Sequence, residues 1–251
     1  FQNNRFNIGR SIMQIIDTFW EKENLGVTSK EIVVDLSDSV DAVKTELAAI
    51  NDQYIVVKIP ASQFDITNLV QNMGYKFVEE MIEVEHDLHE VKRNRILQRL
   101  YDSLDYREMN ASDIEVLYSE IDKGMFSTDR ISNDPHFSPE LSARRYKNWI
   151  KSMLNNGAIP YVMSYKGEPA GFIILTTKDR IVYHSVLGGG YEKFRKTGLG
   201  MVQKEQEIVK SLGGKFVSTN VSSNNVNQCK ALLANGYTVR NINHVFVKHN
   251  V

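Results

Sequence analysis

Disulfides are the first thing this sequence lacks: its one cysteine, Cys229, among 251 residues has no partner within the chain. A chain of this length can bury a core without such staples. Long apolar runs are missing as well. No stretch approaches the ~18 uninterrupted apolar residues of a membrane helix, and residues 1–10 carry no apolar core of a signal peptide. Membrane spanning and Sec-type export are therefore not expected, and the expected compartment is reducing cytoplasm. The start at Phe1 in place of Met suggests that the natural N-terminus is missing. Low-complexity segments are absent too. What remains is ordinary: 42% apolar and 24% charged residues describe a soluble protein. At ~100–200 residues per domain there is room for one large domain or two small ones.

Net charge is nearly absent, at −1, but its distribution is uneven. Residues 31–90 hold 13 acidic and 3 basic side chains, whereas residues 191–251 hold 9 basic and 3 acidic. The C-terminal part therefore favours an anionic ligand. Without Arg or Lys runs or interleaved aromatics, that excess argues against nucleic acid and for a small polyanion.

Between residues 31 and 88 short β-like runs alternate with amphipathic segments. A run at 32–36 precedes a helix carrying Val40, Val43, Leu47 and Ile50, and a run at 54–59 precedes one carrying Ile66, Leu69 and Val70. A strand with Phe77, Met81, Val84 and Leu88 follows Gly74. The basic stretch 91–95 marks a boundary, giving an accessory α/β domain at 1–95 and a second domain at 96–251. The second domain reads as a strand near Tyr106, a helix capped by Ser112, a Pro-containing loop at 126–139 and a helix with Leu141, Tyr146 and Trp149. Strands at 160–165, 170–176 and 181–187, joined by Lys166-Gly167 and Lys178-Asp179, form an antiparallel meander. A helix at 198–212, a strand at 215–220, a helix at 225–234 and two short strands near Tyr237 and 245–247 complete it. One faint repeat is visible: in both halves a helix leads through Gly-Tyr (Gly74-Tyr75, Gly236-Tyr237) into a strand.

The chemistry concentrates at residues 186–200, VLGGGYEKFRKTGLG, a strand leading through a glycine-rich basic loop into a helix. The free N–H groups and dipole at such a helix start favour a phosphate, and glycines admit it close to the main chain. A loop that merely caps its helix is the competing reading. A dinucleotide fingerprint fails, because Lys193 and Arg195 stand where its third glycine is required. A phosphate-binding loop of the Gly-Lys-Ser/Thr kind fails for want of the Gly-Lys pair.

Arg195-x-x-Gly198-x-Gly200, between a meander and a helix, resembles motif A of the GNAT superfamily of acyl-CoA-dependent N-acyltransferases. Asn225 followed by Gly236-Tyr237 resembles that superfamily's second motif. Trp20-Glu21, Leu25-Gly26-Val27, Lys58-Ile59, Asp65, Leu69, Gly74-Tyr75 and Val78-Glu79 resemble the accessory domain of the TDP-fucosamine acetyltransferase family. Phe126, Arg130, Pro135, Tyr146 and Trp149-Ile150 resemble its substrate-side helix. The resemblance implies an α/β protein: a GNAT fold with a mixed, mainly antiparallel central sheet flanked by helices, preceded by a smaller partial GNAT-like domain. It implies acetyl-CoA as cosubstrate, no metal, and an amine on a nucleotide-linked deoxy-sugar as acceptor. Other amines (peptide, polyamine, aminoglycoside), a CoA-binding module without turnover, and a homodimer all stay open.

By that resemblance Val186, Leu187 and Gly188 hold the pantetheine arm, with the Gly188 amide as oxyanion donor. Arg195, Lys196, Gly198, Leu199 and Gly200 hold the pyrophosphate, and Asn225 bonds to pantetheine. His184, eleven residues before Arg195, stands where some members carry their base, with Tyr183 as second candidate. The family's thiolate-protonating tyrosine, seven residues after the motif Asn, is here Leu232, leaving Tyr183, Ser222, Ser223, water or the substrate. Asp129, Arg130 and Asp134 lie in a loop able to close over an acceptor, though loop charges are commonly just solvated. Trp149 is core or sugar platform, with core favoured. His86-x-x-His89 has no further ligands nearby in sequence, and Cys229 reads as a small buried hydrophobe.

Overall fold

The computed structural model describes residues 13–90, 95–197 and 199–250. Gly198 and residues 1–12, on which the expectation about export rests, lie outside the described residues. The chain divides into two compact units: one runs to Glu80 and takes in the chain from Ile242 onwards, the other is Met81–Asn241. Residues 81–90 and Arg95, placed with the accessory domain from sequence, fall in the second unit. Among the described residues no helix is long and apolar enough to cross a membrane.

In the first unit the elements are β1 (Gln14–Asp17), α1 (Glu21–Asn24), β2 (Ser29–Val33), α2 (Val40–Ala49), β3 (Tyr54–Pro60), α3 (Phe64–Asn72) and the start of β4 (Lys76–Asp87). β1 pairs antiparallel with β2, and β2 runs parallel to β3. The apolar spacing read from the sequence now has its cause: Val43 and Leu47 of α2 and Ile66 and Val70 of α3 are buried against Ile32, Ile55, Val57 and Ile59. The Ser39 side chain caps α2 by accepting from the Ala42 N–H at 3.2 Å.

The second unit continues with α4 (Arg95–Asp102), β5 (Leu104–Glu108), α5 (Ala111–Asp122), α6 (Pro139–Asn155), β6 (Ile159–Tyr165), β7 (Glu168–Thr177) and β8 (Val182–Gly190). Then come α7 (Met201–Ser211), β9 (Phe216–Ser222), α8 (Val226–Ala234) and β10 (Thr238–His249). Its strand order is β4-β9-β8-β7-β6-β5, antiparallel except for the parallel pair β8/β9. The expected meander is β6-β7-β8. The end of β10 pairs antiparallel with β3 in the first unit, from Asn243 opposite Pro60 to His249 opposite Tyr54.

Strand alternation sorts the core onto two faces. Ile173, Leu175 and Tyr183 pack with Ile208, Val209, Val217 and Leu232, while Phe172, Ile174 and Leu187 pack with Leu117, Ile121, Tyr146 and Ile150. Three sequence expectations change. The cap of α5 is Asn110, two residues before Ser112: its side chain accepts from Asp113 N–H while the Asp113 carboxylate accepts from Asn110 N–H, a capping box. The glycines 188–190 are the end of β8, paired with residues 173–171, and not a loop. Finally, β10 is one twelve-residue strand in place of two short ones.

Candidate functional site

β8 pairs with β7 along nearly its whole length, but with β9 only from Val182 opposite Phe216 to His184 opposite Ser218. Among the described residues the parallel ladder goes no further. Against β7 the register shifts between Ile174 and Leu175, which face Leu187 and Ser185, so Val186 is an inserted residue. A bulge of this kind bends and twists its strand. Together these features turn one edge of residues 186–188 away from regular pairing, where their polar backbone groups need other partners. One neighbouring group is satisfied: the Thr219 hydroxyl donates to the Ser185 carbonyl at 2.7 Å. Gly188 is exposed, whereas Ser185 and Leu187 are buried.

The two proton-transfer candidates face opposite ways. Tyr183 is buried in the cluster under α7, and its hydroxyl donates to the Leu212 carbonyl at 3.4 Å. His184 alternates to the other face, with Nδ1 at 3.0 Å from Ser218 Oγ, a partner that sequence alone did not show. Burial pushes its pKa below the usual histidine value, so near neutral pH the ring is uncharged and able to accept a proton.

Past Gly190 the chain makes a tight turn in which the N–H groups of Phe194 and Arg195 both donate to the Tyr191 carbonyl. The basic side chains here are not all unengaged: Lys193 pairs with Glu168, and Arg195 lies 3.8 Å from Glu192. The Glu192 N–H donates to the Glu120 carboxylate at 2.7 Å, tying the turn to α5. Glu120, Lys123, Met125, Gly190, Glu192 and Arg195 line a shallow depression with room for little more than a water molecule. Lys196 is exposed and Leu199 is buried. Gly200, the N-cap of α7, has φ of +71° and offers the first helical N–H groups no side chain. A Cβ there would lie 1.9 Å from the Tyr101 ring, so this position requires glycine for conformation and for packing alike. The Gln203 and Lys204 N–H groups donate to the Gly200 carbonyl at 3.1 Å, and the start of the eleven-residue helix α7 has no side-chain cap, a setting in which the helix dipole favours an anion.

In the 126–139 loop, Asp129 accepts from the N–H groups of Ile131 and Ser132 at 2.7 and 2.9 Å and from the Tyr146 hydroxyl. The buried carboxylate of Asp134 accepts from the His136 N–H at 3.0 Å. Both aspartates thereby fold their own loop. Arg130 is half-buried within it. The Ser222 hydroxyl donates to the Thr128 carbonyl at 3.4 Å, joining the loop to the end of β9. Trp149 is 38% exposed, with Tyr146 at 6.1 Å and the Arg145 guanidinium at 5.9 Å, so it is not the core residue favoured from sequence. The Asn225 side chain accepts from Gln228 N–H at 3.2 Å and caps α8. Leu232 is buried in the core and places no hydroxyl there. His86 is buried and donates from Nδ1 to the Gly236 carbonyl at 2.8 Å, while His89 is exposed beside Asp87. Cys229 is only partly buried.

One group escaped the sequence reading. Glu205 of α7 is buried, accepts from the Tyr237 hydroxyl at 3.1 Å and bonds to the Ser185 side chain. Burial pushes its carboxyl up to about 7. In the segment KEQE it reads as a solvated helix face, and no local spacing reveals contacts 20 and 32 residues away.

The sequence matches no family model and no curated protein. The fold has clear counterparts among solved structures. A GCN5-related N-acetyltransferase from Sphaerobacter thermophilus superposes with a TM-score of 0.62 at 12% identity, covering 94% of this chain and 76% of that one. A functionally unknown conserved protein from Staphylococcus epidermidis gives 0.59 at 12%, over 89% and 85%. A fungal multidomain β-N-acetylglucosaminidase, described as containing a GCN5-related glucosamine N-acetyltransferase region, gives 0.58 at 12%, over 98% of this chain and 39% of that one. The chain has the GNAT-like fold, a mixed sheet flanked by helices, and at these identities the likeness speaks for the fold.

Proposed function

We propose that this protein transfers an acetyl group from acetyl-CoA to a primary amine. The observation that carries the reading is the parting of β8 from β9 after His184–Ser218, with a bulge at Val186 and an uncapped helix start at α7 beyond it. Such a strand edge suits an amide-rich arm such as pantetheine, and such a helix start suits a pyrophosphate. The residues fit: the α7 N–H groups with Arg195 and Lys196 would hold the pyrophosphate, and the edge at 186–188 would hold the arm. When bound, acetyl-CoA supplies the activated acyl group. The Gly188 N–H would donate to the carbonyl oxygen as it gains charge. His184, neutral near pH 7, takes the proton of the incoming ammonium. With Leu232 at the family's tyrosine position, the departing thiolate takes its proton from water, Ser222 or the acceptor itself.

The acceptor would sit under the 126–139 loop, near Arg130 and the half-exposed Trp149. A nucleotide-linked amino-sugar is the acceptor we favour, on the sequence resemblance; the glucosamine N-acetyltransferase region among the structural neighbours supports a sugar amine. The test is thiol release from acetyl-CoA across nucleotide amino-sugars, free amino-sugars, polyamines, peptides and aminoglycosides. Turnover with the first class is expected, and turnover confined to another class would replace the acceptor. Leu232 favours a second reading, a CoA-binding module without turnover, which binding with no thiol release in every class would select.

A further inference from the structure

The buried polar group formed by Glu205, Ser185 and Tyr237 touches the site at its most irregular point. Ser185 is the last residue before the Val186 bulge, and it is held twice. The Thr219 hydroxyl of β9 holds its carbonyl at 2.7 Å, and the Glu205 carboxyl of α7 bonds its side chain. The same carboxyl accepts from Tyr237 at 3.1 Å, and all three residues are at least 95% buried. Among the described residues no cation bonds to Glu205; Lys204, its neighbour on α7, pairs with Glu207 at 3.0 Å. The other titratable groups packed around this face of α7 are Tyr183 of β8, Tyr106 of β5, Tyr161 of β6 and Cys229 of α8. His86 of β4 stacks on Tyr237 with ring centroids 5.5 Å apart. A carboxylate in such a place accepts both hydroxyl hydrogens, whereas a carboxylic acid must donate one of its own, so a proton gained or lost there reverses a hydrogen bond beside the bulge.

We infer that Glu205 is a positioning residue: its protonation state sets, through Ser185, the conformation of the β8 bulge and hence the direction of the Val186, Leu187 and Gly188 backbone groups. The coupling rests on the proposed function only in assigning those groups to the thioester. Burial supplies the pH range, since it brings the carboxyl to about 7.

The experiment follows the amide resonances of Val186, Leu187 and Gly188 in the full chain from pH 5 to 9, without ligand. A shared titration near neutrality is expected, abolished in Glu205→Gln, which keeps the shape but carries no titrating proton. It should also be abolished in Ser185→Ala, in which the Glu205 carboxyl itself still titrates when followed by carbon resonance. His184 titrates below its usual value, so its contribution appears as a separate, more acidic step that persists in both variants. A near-neutral step surviving in Glu205→Gln, or no such step in the wild type, would overturn the inference. Failure of the functional reading shows elsewhere, as absence of acetyl-CoA binding with the amide titration intact.

Discussion

The chain carries the same strand, helix, strand, helix, Gly-Tyr, strand succession twice, and the two versions differ where function is proposed. In the first, β2 and β3 run parallel through five paired positions, Ser29–Val33 opposite Tyr54–Lys58, and the helix between them is capped by a serine side chain. In the second, β8 and β9 pair over three positions, β8 bulges, and the helix between them starts at a glycine that has no side chain to cap it. The first version pairs for longer and caps its helix with a side chain, whereas the second stops pairing early and starts its helix without one. The last strands are exchanged: the end of β4 pairs with β9, and the end of β10 pairs with β3. A site of this type arises where regular pairing and capping stop, so the pairing register locates it better than the glycine count does.

The comparison can be sharpened by substitution. The largest effect is expected at Glu205. Burial brings its carboxyl up to about 7, above the ordinary glutamate value of 4.5, so between those values the folded chain holds a proton that the unfolded chain releases. The contribution of Glu205 to stability therefore falls as pH rises from about 4.5 to about 7 and then levels off. At ~1.4 kcal/mol per unit, Glu205→Gln should leave stability nearly unchanged at pH 4.5 and raise it by up to roughly 3 kcal/mol at pH 8, read from urea midpoints. A gain independent of pH would contradict the assignment.

The two Gly-Tyr turns give the next largest contrast. Gly74 and Gly236 have φ of +84° and +87°, and both following tyrosines are buried. A Cβ on Gly74 meets nothing within 4 Å, whereas on Gly236 it comes within 2.9 Å of the His86 ring. Gly74→Ala should cost ~1–2 kcal/mol, the left-handed strain alone; Gly236→Ala should cost more, by an amount set by how far His86 can shift. Equal losses in urea unfolding would mean that the His86 contact relaxes freely. The smallest effect is at the capped helix: Ser39→Ala should cost about 1 kcal/mol and leave ligand binding unchanged.

Much of this arrangement was legible in the sequence. The spacing of Val43 and Leu47 against Ile66 and Val70 pointed to α2 and α3, though not to the four-residue α1, and turn pairs at Lys166-Gly167 and Lys178-Asp179 pointed to the meander. Glycines 188–190 misled because their weak strand propensity reads as loop, while pairing with β7 overrides it. β1 was missed because four residues at a sheet edge carry too little pattern. β10 read as two strands because Arg240, Asn241 and Asn243 interrupt its apolar residues. The Ser218 partner of His184 and the burial of Glu205 come from contacts 34 and 32 residues distant, which no local pattern encodes.

The central claim is that the second version of the repeat binds acetyl-CoA at the parted strands and the uncapped helix. Calorimetric titration with acetyl-CoA tests it most directly, with Arg195→Glu as control, since that side chain is exposed and its nearest ionic partner, Glu192, lies 3.8 Å away. Micromolar binding, weakened at least tenfold by the charge reversal, is the predicted result. No heat at millimolar acetyl-CoA would contradict the account and leave the glycine at the head of α7 with a structural task alone.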